Sequence, residues 1–73
     1  MALRHIQPVA AFALNDGQEL RVRFVDGRLD IRLFEPIGGA SRHLHATRHG
    51  VELSPELAGP LAQALAKADR EVA

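Results

Sequence analysis

Residues 19–34 read ELRVRFV-DG-RLDIRLF, two runs of strict alternation about Asp26-Gly27. Asp-Gly between alternating runs is the strongest short hairpin signal a sequence carries. A two-residue turn fixes the register. Phe24 then faces Leu29, Val22 faces Ile31, and Leu20 faces Leu33, giving one wholly apolar side. The other side matches Arg23 with Asp30, a favourable cross-strand pair, and sets Arg21 opposite Arg32. Like charges directly opposed are destabilising, by an amount comparable to the roughly 0.2–1 kcal/mol of a good pair. A sheet carrying this pair either splays two solvated arginines into water or holds them for an anion.

Outward from the hairpin, the chain divides into short extended runs and one helix. Residues 1–8 read as a lead-in, and 9–14 as a first strand ended by Asn15-Asp16-Gly17. A two-residue turn there would set Phe12 opposite Arg21, on the wrong side. A three-residue loop, with Gly17 free to take positive φ, instead faces Leu14 with Leu20 and Phe12 with Val22. Strands over 19–25 and 28–35 form the hairpin, and Pro36 with Gly38 and Gly39 ends it in a mobile loop. Residues 42–48 alternate again, with Leu44 and Ala46 inward and His43, His45 and Thr47 outward. Gly50 to Leu53 is expected as an extended link.

Ser54-Pro55-Glu56 is a helix start: a capping serine, proline at the first position and an acid in the first turn. Leu57, Leu61, Leu65, Ala68 and Val72 then form one apolar stripe over a helix of about 55–72. Gly59-Pro60 interrupts it. Either the helix kinks at Gly59, or 54–58 is a separate turn and the main helix begins at Pro60. The expected fold is α+β within a single domain spanning residues 1–73: a four-stranded antiparallel sheet and one C-terminal helix, in the order β-β-β-β-α. One helix covers such a sheet only in part, and a chain of 73 residues buries only about 60% of its unfolded surface. Both facts point to a homodimer.

The formal net charge is zero, but the charge is sorted along the chain. Residues 20–49 carry six arginines against Asp26, Asp30 and Glu35, and the flanking segments supply the compensating acids. Local patches of this kind steer ligands more than totals do. Arg21, Arg23, Arg28 and Arg32 share one parity of the hairpin with Phe34, and His43 and His45 extend that surface. Guanidinium groups around an aromatic ring on a sheet suit a single strand, holding phosphates by charge and bases by stacking. The helix carries only Lys67 and Arg70, little to offer a duplex groove. On this reading, alanine at both Arg21 and Arg32 weakens binding and leaves the fold intact, and Phe34→Ala loses around 1–3 kcal/mol of binding.

Other chemistry is poorly supported. Ser41, Thr47 and Ser54 are the only side-chain hydroxyls, two of them in loop or cap positions, and the acids are scattered over turns and helix ends, so no catalytic site is expected. His43, His45 and His49 have strand spacing for a zinc site, but without cysteine or a neighbouring acid no metal is expected. The absence of cysteine fits a reducing cytoplasm, and residues 1–6 show no signal peptide.

Two motifs in order, Leu29-Asp30-Ile31-Arg32 followed by an aromatic, and Thr47-Arg48-His49-Gly50-Val51-Glu52-Leu53-Ser54-Pro55-Glu56 ahead of a leucine helix, resemble the transcriptional coactivator family of positive cofactor four. The resemblance covers roughly residues 19–72. It implies a homodimer whose helices help form the interface and whose sheets make grooves for single-stranded or melted DNA, with no cofactor or metal. RNA is a related ligand, the transcription machinery a partner, and a bacterial member would lie at the nucleoid. Carried over by position, Arg32 matches the arginine of the third-strand motif, Arg48 and His49 the basic pair before the glycine, and Arg28 a basic residue after the second turn. The chain departs from the family in its short Asp26-Gly27 turn, in Leu33-Phe34 where an aromatic pair is common, in His49 where lysine is common, and in Gly59-Pro60.

Overall fold

The computed structural model describes residues 4–38 and 43–72. Four strands, β1 (Ile6–Ala13), β2 (Glu19–Val25), β3 (Arg28–Pro36) and β4 (Leu44–Leu53), precede one helix, α1 (Ala58–Val72). They form one antiparallel sheet in sequence order. The β2–β3 hairpin has the expected register, including Arg23 opposite Asp30 and Arg21 opposite Arg32. Asp26 and Gly27 take φ of 51° and 81°, the double positive φ whose twist matches the flanking strands.

The first connection differs from expectation. Phe12 faces Leu20 rather than Val22, because Asp16 as well as Gly17 takes positive φ, a conformation aspartate tolerates. The loop thereby lengthens to residues 14–18, closed by Leu14 N–H donating to the Gln18 carbonyl at 2.8 Å. The lead-in is also shorter than expected, since Ile6 to Pro8 already belong to β1. The register shifts between Pro8 and Ala10, a bulge where proline sits without a ladder donor on an edge strand. The strand is tied down at its start: His5 N–H donates to Asp26 Oδ1 at 2.9 Å, and Asp26 N–H to the His5 carbonyl at 2.8 Å.

The last strand carries a second correction. Gly50 to Leu53 is not a link but the latter part of β4, while the expected start at Arg42 lies outside the described residues. Between the Arg32–Gly50 and Phe34–Ala46 pairs the register slips, so that residues 47–49 oppose Leu33 alone. Thr47 staples this bulge: its Oγ1 donates to the Leu33 carbonyl at 2.9 Å and accepts from His49 N–H at 3.1 Å. Three residues against one add two, so alternation keeps its phase along β4, a phase set by Val51 and Leu53 facing Ile31 and Leu29. Ala46 faces Phe34, on the arginine side, and His45 faces Glu35, on the side of Leu33. Leu44 and Ala46 are therefore not on the apolar side, and His45 is not on the basic one.

Ser54 heads a separate 3-10 turn over Pro55–Leu57, with Leu57 N–H donating to the Ser54 carbonyl at 3.0 Å and no bond from the serine hydroxyl. The main helix begins at Ala58, three residues after the expected start at about 55 and two before the alternative start at Pro60. Pro60 thus falls in the first turn, where a missing N–H has no helical partner to lose.

Ala58, Leu61, Ala62 and Leu65 of α1 face Val9, Val22, Phe24, Leu29 and Ile31 across an open groove of about 290 Å³. No residue of α1 is buried, and Phe12, Val51 and Leu65 are exposed. Among the described residues only Leu29 is buried on this apolar side, whereas Val25, Asp30 and Phe34 are buried on the other.

Candidate nucleic-acid interface

Strand alternation gathers Glu19, Arg21 and Arg23 of β2 and Asp30, Arg32 and Phe34 of β3 on one side of the sheet. At its centre Asp30 is 1% exposed. Its Oδ2 accepts from Arg23 Nε at 2.8 Å, and its Oδ1 from Arg32 Nε and Nη2 at 3.0 and 2.8 Å. Burial pushes this carboxyl up, but hydrogen bonds from Arg32 and Arg23, reinforced by their charge, outweigh it and hold it below its ordinary value. The same bond to Asp30 raises Arg32 above the usual arginine value, against the opposing effect of desolvation. Arg32 Nη1 also donates to the Thr47 carbonyl at 3.0 Å, joining the cluster to the β4 bulge.

Phe34 lies beneath two of the arginines. The guanidinium carbons of Arg21 and Arg23 stand 4.2 and 4.9 Å from its ring centroid, within cation–π range. The ring is 5% exposed, so the expectation of an open aromatic platform is corrected: alternation says which side a side chain is on, not what lies over it. Arg21 Nε further donates to Glu19 Oε1 at 2.9 Å. The Arg21–Arg32 opposition is relieved because the two cations turn to different acids, Glu19 and Asp30.

Beside this cluster is a shallow depression of about 320 Å³ lined by Arg4, Arg23, Arg32 and Arg48 against Asp30 and Glu52. Four guanidinium groups against two carboxylates leave a local surplus of positive charge. Arg28 lies at the margin, 3.9 Å from Glu52 with both side chains half exposed, a pair of little energetic weight. His49 is exposed within the bulge, and His45 is on the far side. His43 precedes β4, and its carbonyl accepts from Ile37 N–H at 3.0 Å.

Of the residues singled out from sequence, Arg21, Arg23, Arg32 and Phe34 are brought together, Arg48 adjoins them, and Arg28, His43, His45 and His49 stand apart. Sequence reasoning paired Asp30 with Arg23 but missed its second partner, although Arg32 two residues along the same strand was a visible signal. Arg4 carried no such signal. Among the described residues no three His, Asp or Glu side chains converge as a metal site, and no helix is long and apolar enough to cross a membrane. No family model matches this chain, and neither a curated protein nor a solved structure matches it.

Proposed function

We propose that this chain binds single-stranded nucleic acid, DNA foremost, through the arginine side of its sheet and without base preference, as a homodimer. The observation that carries the reading is the cluster itself: Arg21, Arg23 and Arg32 held in fixed orientations by Glu19, Asp30 and Phe34, next to a depression with four arginines against two acids. Guanidinium groups ordered before a ligand arrives lose less freedom on binding it. A lattice of planar cations on a pleated surface suits an extended polyanion with accessible bases. The helix, with Lys67 and Arg70 only, favours a single strand over a duplex. The resemblance to the positive cofactor four family agrees with this reading, and a part in transcription, replication or repair follows by analogy.

The dimer is supported by shape. The accessible surface is 5887 Å², whereas a compact monomer of this mass exposes about 4,400 Å², an excess of about 1,500 Å². The radius of gyration is 14.1 Å, against about 11 Å for a compact chain of this length. The excess surpasses the roughly 800 Å² per partner of an ordinary interface, and the groove between α1 and the sheet is where a second copy would remove it.

Fluorescence anisotropy with labelled oligo-dT, at two salt concentrations and at pH 6 and 8, tests the function. The expected result is binding that weakens with salt, with a log–log slope of about −0.7 per phosphate contact. Absence of binding at low salt overturns the reading. A second reading is a protein-interaction dimer of the same fold, favoured by the pairing of two arginines with Asp30. A stable dimer that ignores oligo-dT selects it.

A further inference from the structure

A single strand held without base preference needs planar surfaces for its bases, and the three phenylalanines do not provide one beside the arginines. Phe24 lies on the apolar side, in the groove under α1. Phe12 is exposed but faces Leu20, on the side away from the arginines. Phe34 is on the right side and sealed. What seals it is itself planar. The Arg21 guanidinium lies 4.2 Å over the ring centroid with its Nε edge fixed to Glu19, and its side chain keeps 36% of its surface in solvent. Arg23 is placed less favourably, 4.9 Å from the centroid, tied to Asp30 and 15% exposed.

We propose that the Arg21 guanidinium, backed by Phe34, is the base-stacking platform of this surface, its inner face on the ring and its outer face open to a nucleobase. A delocalised planar cation stacks on aromatic systems as an ammonium cannot, and every base offers a π-face, so the contact is sequence-tolerant. Phe34 then acts through Arg21, as a positioning residue that backs the guanidinium from below. The assignment rests on the nucleic-acid reading above and adds to it the class of contact that Arg21 makes.

Arg21→Lys separates charge from plane. Wild type and R21K are titrated with labelled oligo-dT and with an abasic oligonucleotide of equal length and charge, after thermal melts show equal folding. R21K is expected to bind oligo-dT at least about fivefold more weakly, the low end of losing one stacked base, and to match wild type on the abasic strand. Equal affinity of both proteins for oligo-dT overturns the assignment, as does an equal loss on both strands. Wild type that binds neither strand overturns the nucleic-acid reading and this assignment with it. Should R21K fail to fold, an oligonucleotide carrying 2-aminopurine decides: stacking on wild type quenches its fluorescence and supports the assignment if Phe12→Ala leaves the quenching in place. Quenching that is absent, or lost in Phe12→Ala, rejects it.

Discussion

Arg32 grips Asp30 through two of its nitrogens, Nε and Nη2, on one carboxylate oxygen at 3.0 and 2.8 Å, while Arg23 takes the other oxygen. This three-residue unit decides how the basic face responds to mutation and to pH.

Asp30→Ala leaves two guanidinium groups without their buried counter-ion. Removing one partner from a buried pair costs about 3–5 kcal/mol. The lower end is expected here, because Arg23 and Arg32 keep 15% and 17% of their side-chain surface in water. Urea unfolding of the two proteins measures it.

The acid limb of stability should carry the same signature. The Asp30 carboxyl lies below its ordinary 3.8 when folded, so the unfolded chain takes up the proton first. Its contribution is fully present above the unfolded value and is lost as pH falls through the folded one. Urea midpoints recorded from pH 6 down to 2 should therefore drop below about pH 4, and the drop should be smaller in Asp30→Asn.

Arg21 and Arg32 should not behave alike. Arg32→Ala strips Asp30 of two of its hydrogen bonds and removes the side-chain bond to the Thr47 carbonyl, so it lowers the melting temperature. Arg21→Ala removes a half-buried pair with Glu19 at the edge of the cluster, leaves the fold standing and weakens oligo-dT binding. The expectation from sequence that both could be lost with the fold intact is therefore revised for Arg32. Paired melts and anisotropy check the contrast.

Phe34→Ala should act on stability before binding. Emptying a buried phenylalanine site costs about 3–5 kcal/mol, more than loss of one base stack. A melt that matches wild type would place the ring outside the core.

Gly50→Ala should also destabilise. An added Cβ would stand 2.6 Å from the Ile31 carbonyl oxygen and 2.9 Å from Arg32 Cα, both backbone atoms. Overpacking of this kind costs about 1–3 kcal/mol, readable as a lower urea midpoint.

The hairpin was legible because Asp26-Gly27 leaves one turn geometry and one register. The sequence pattern also carried the strand order and the existence of the helix. It did not carry the parity of β4, because the strand runs on to Leu53, and Val51 and Leu53 opposite Ile31 and Leu29 leave the even-numbered residues on the arginine side. It missed the β1 register because Asp16 took a backbone conformation assigned only to Gly17. At the candidate site the arginines could be placed by counting in twos. Their partners could not, because a long side chain chooses among acids and rings at several neighbouring positions.

Both outermost strands of the sheet are interrupted, β1 beside Pro8 and β4 at Thr47. Unbroken outer strands would invite further copies to hydrogen-bond on in succession and grow a fibril, and interruptions there discourage it. The proposed self-association would then be directed away from the rims and toward the oily face, ending once that face is covered. The two interruptions thus also act as stops against runaway polymerisation.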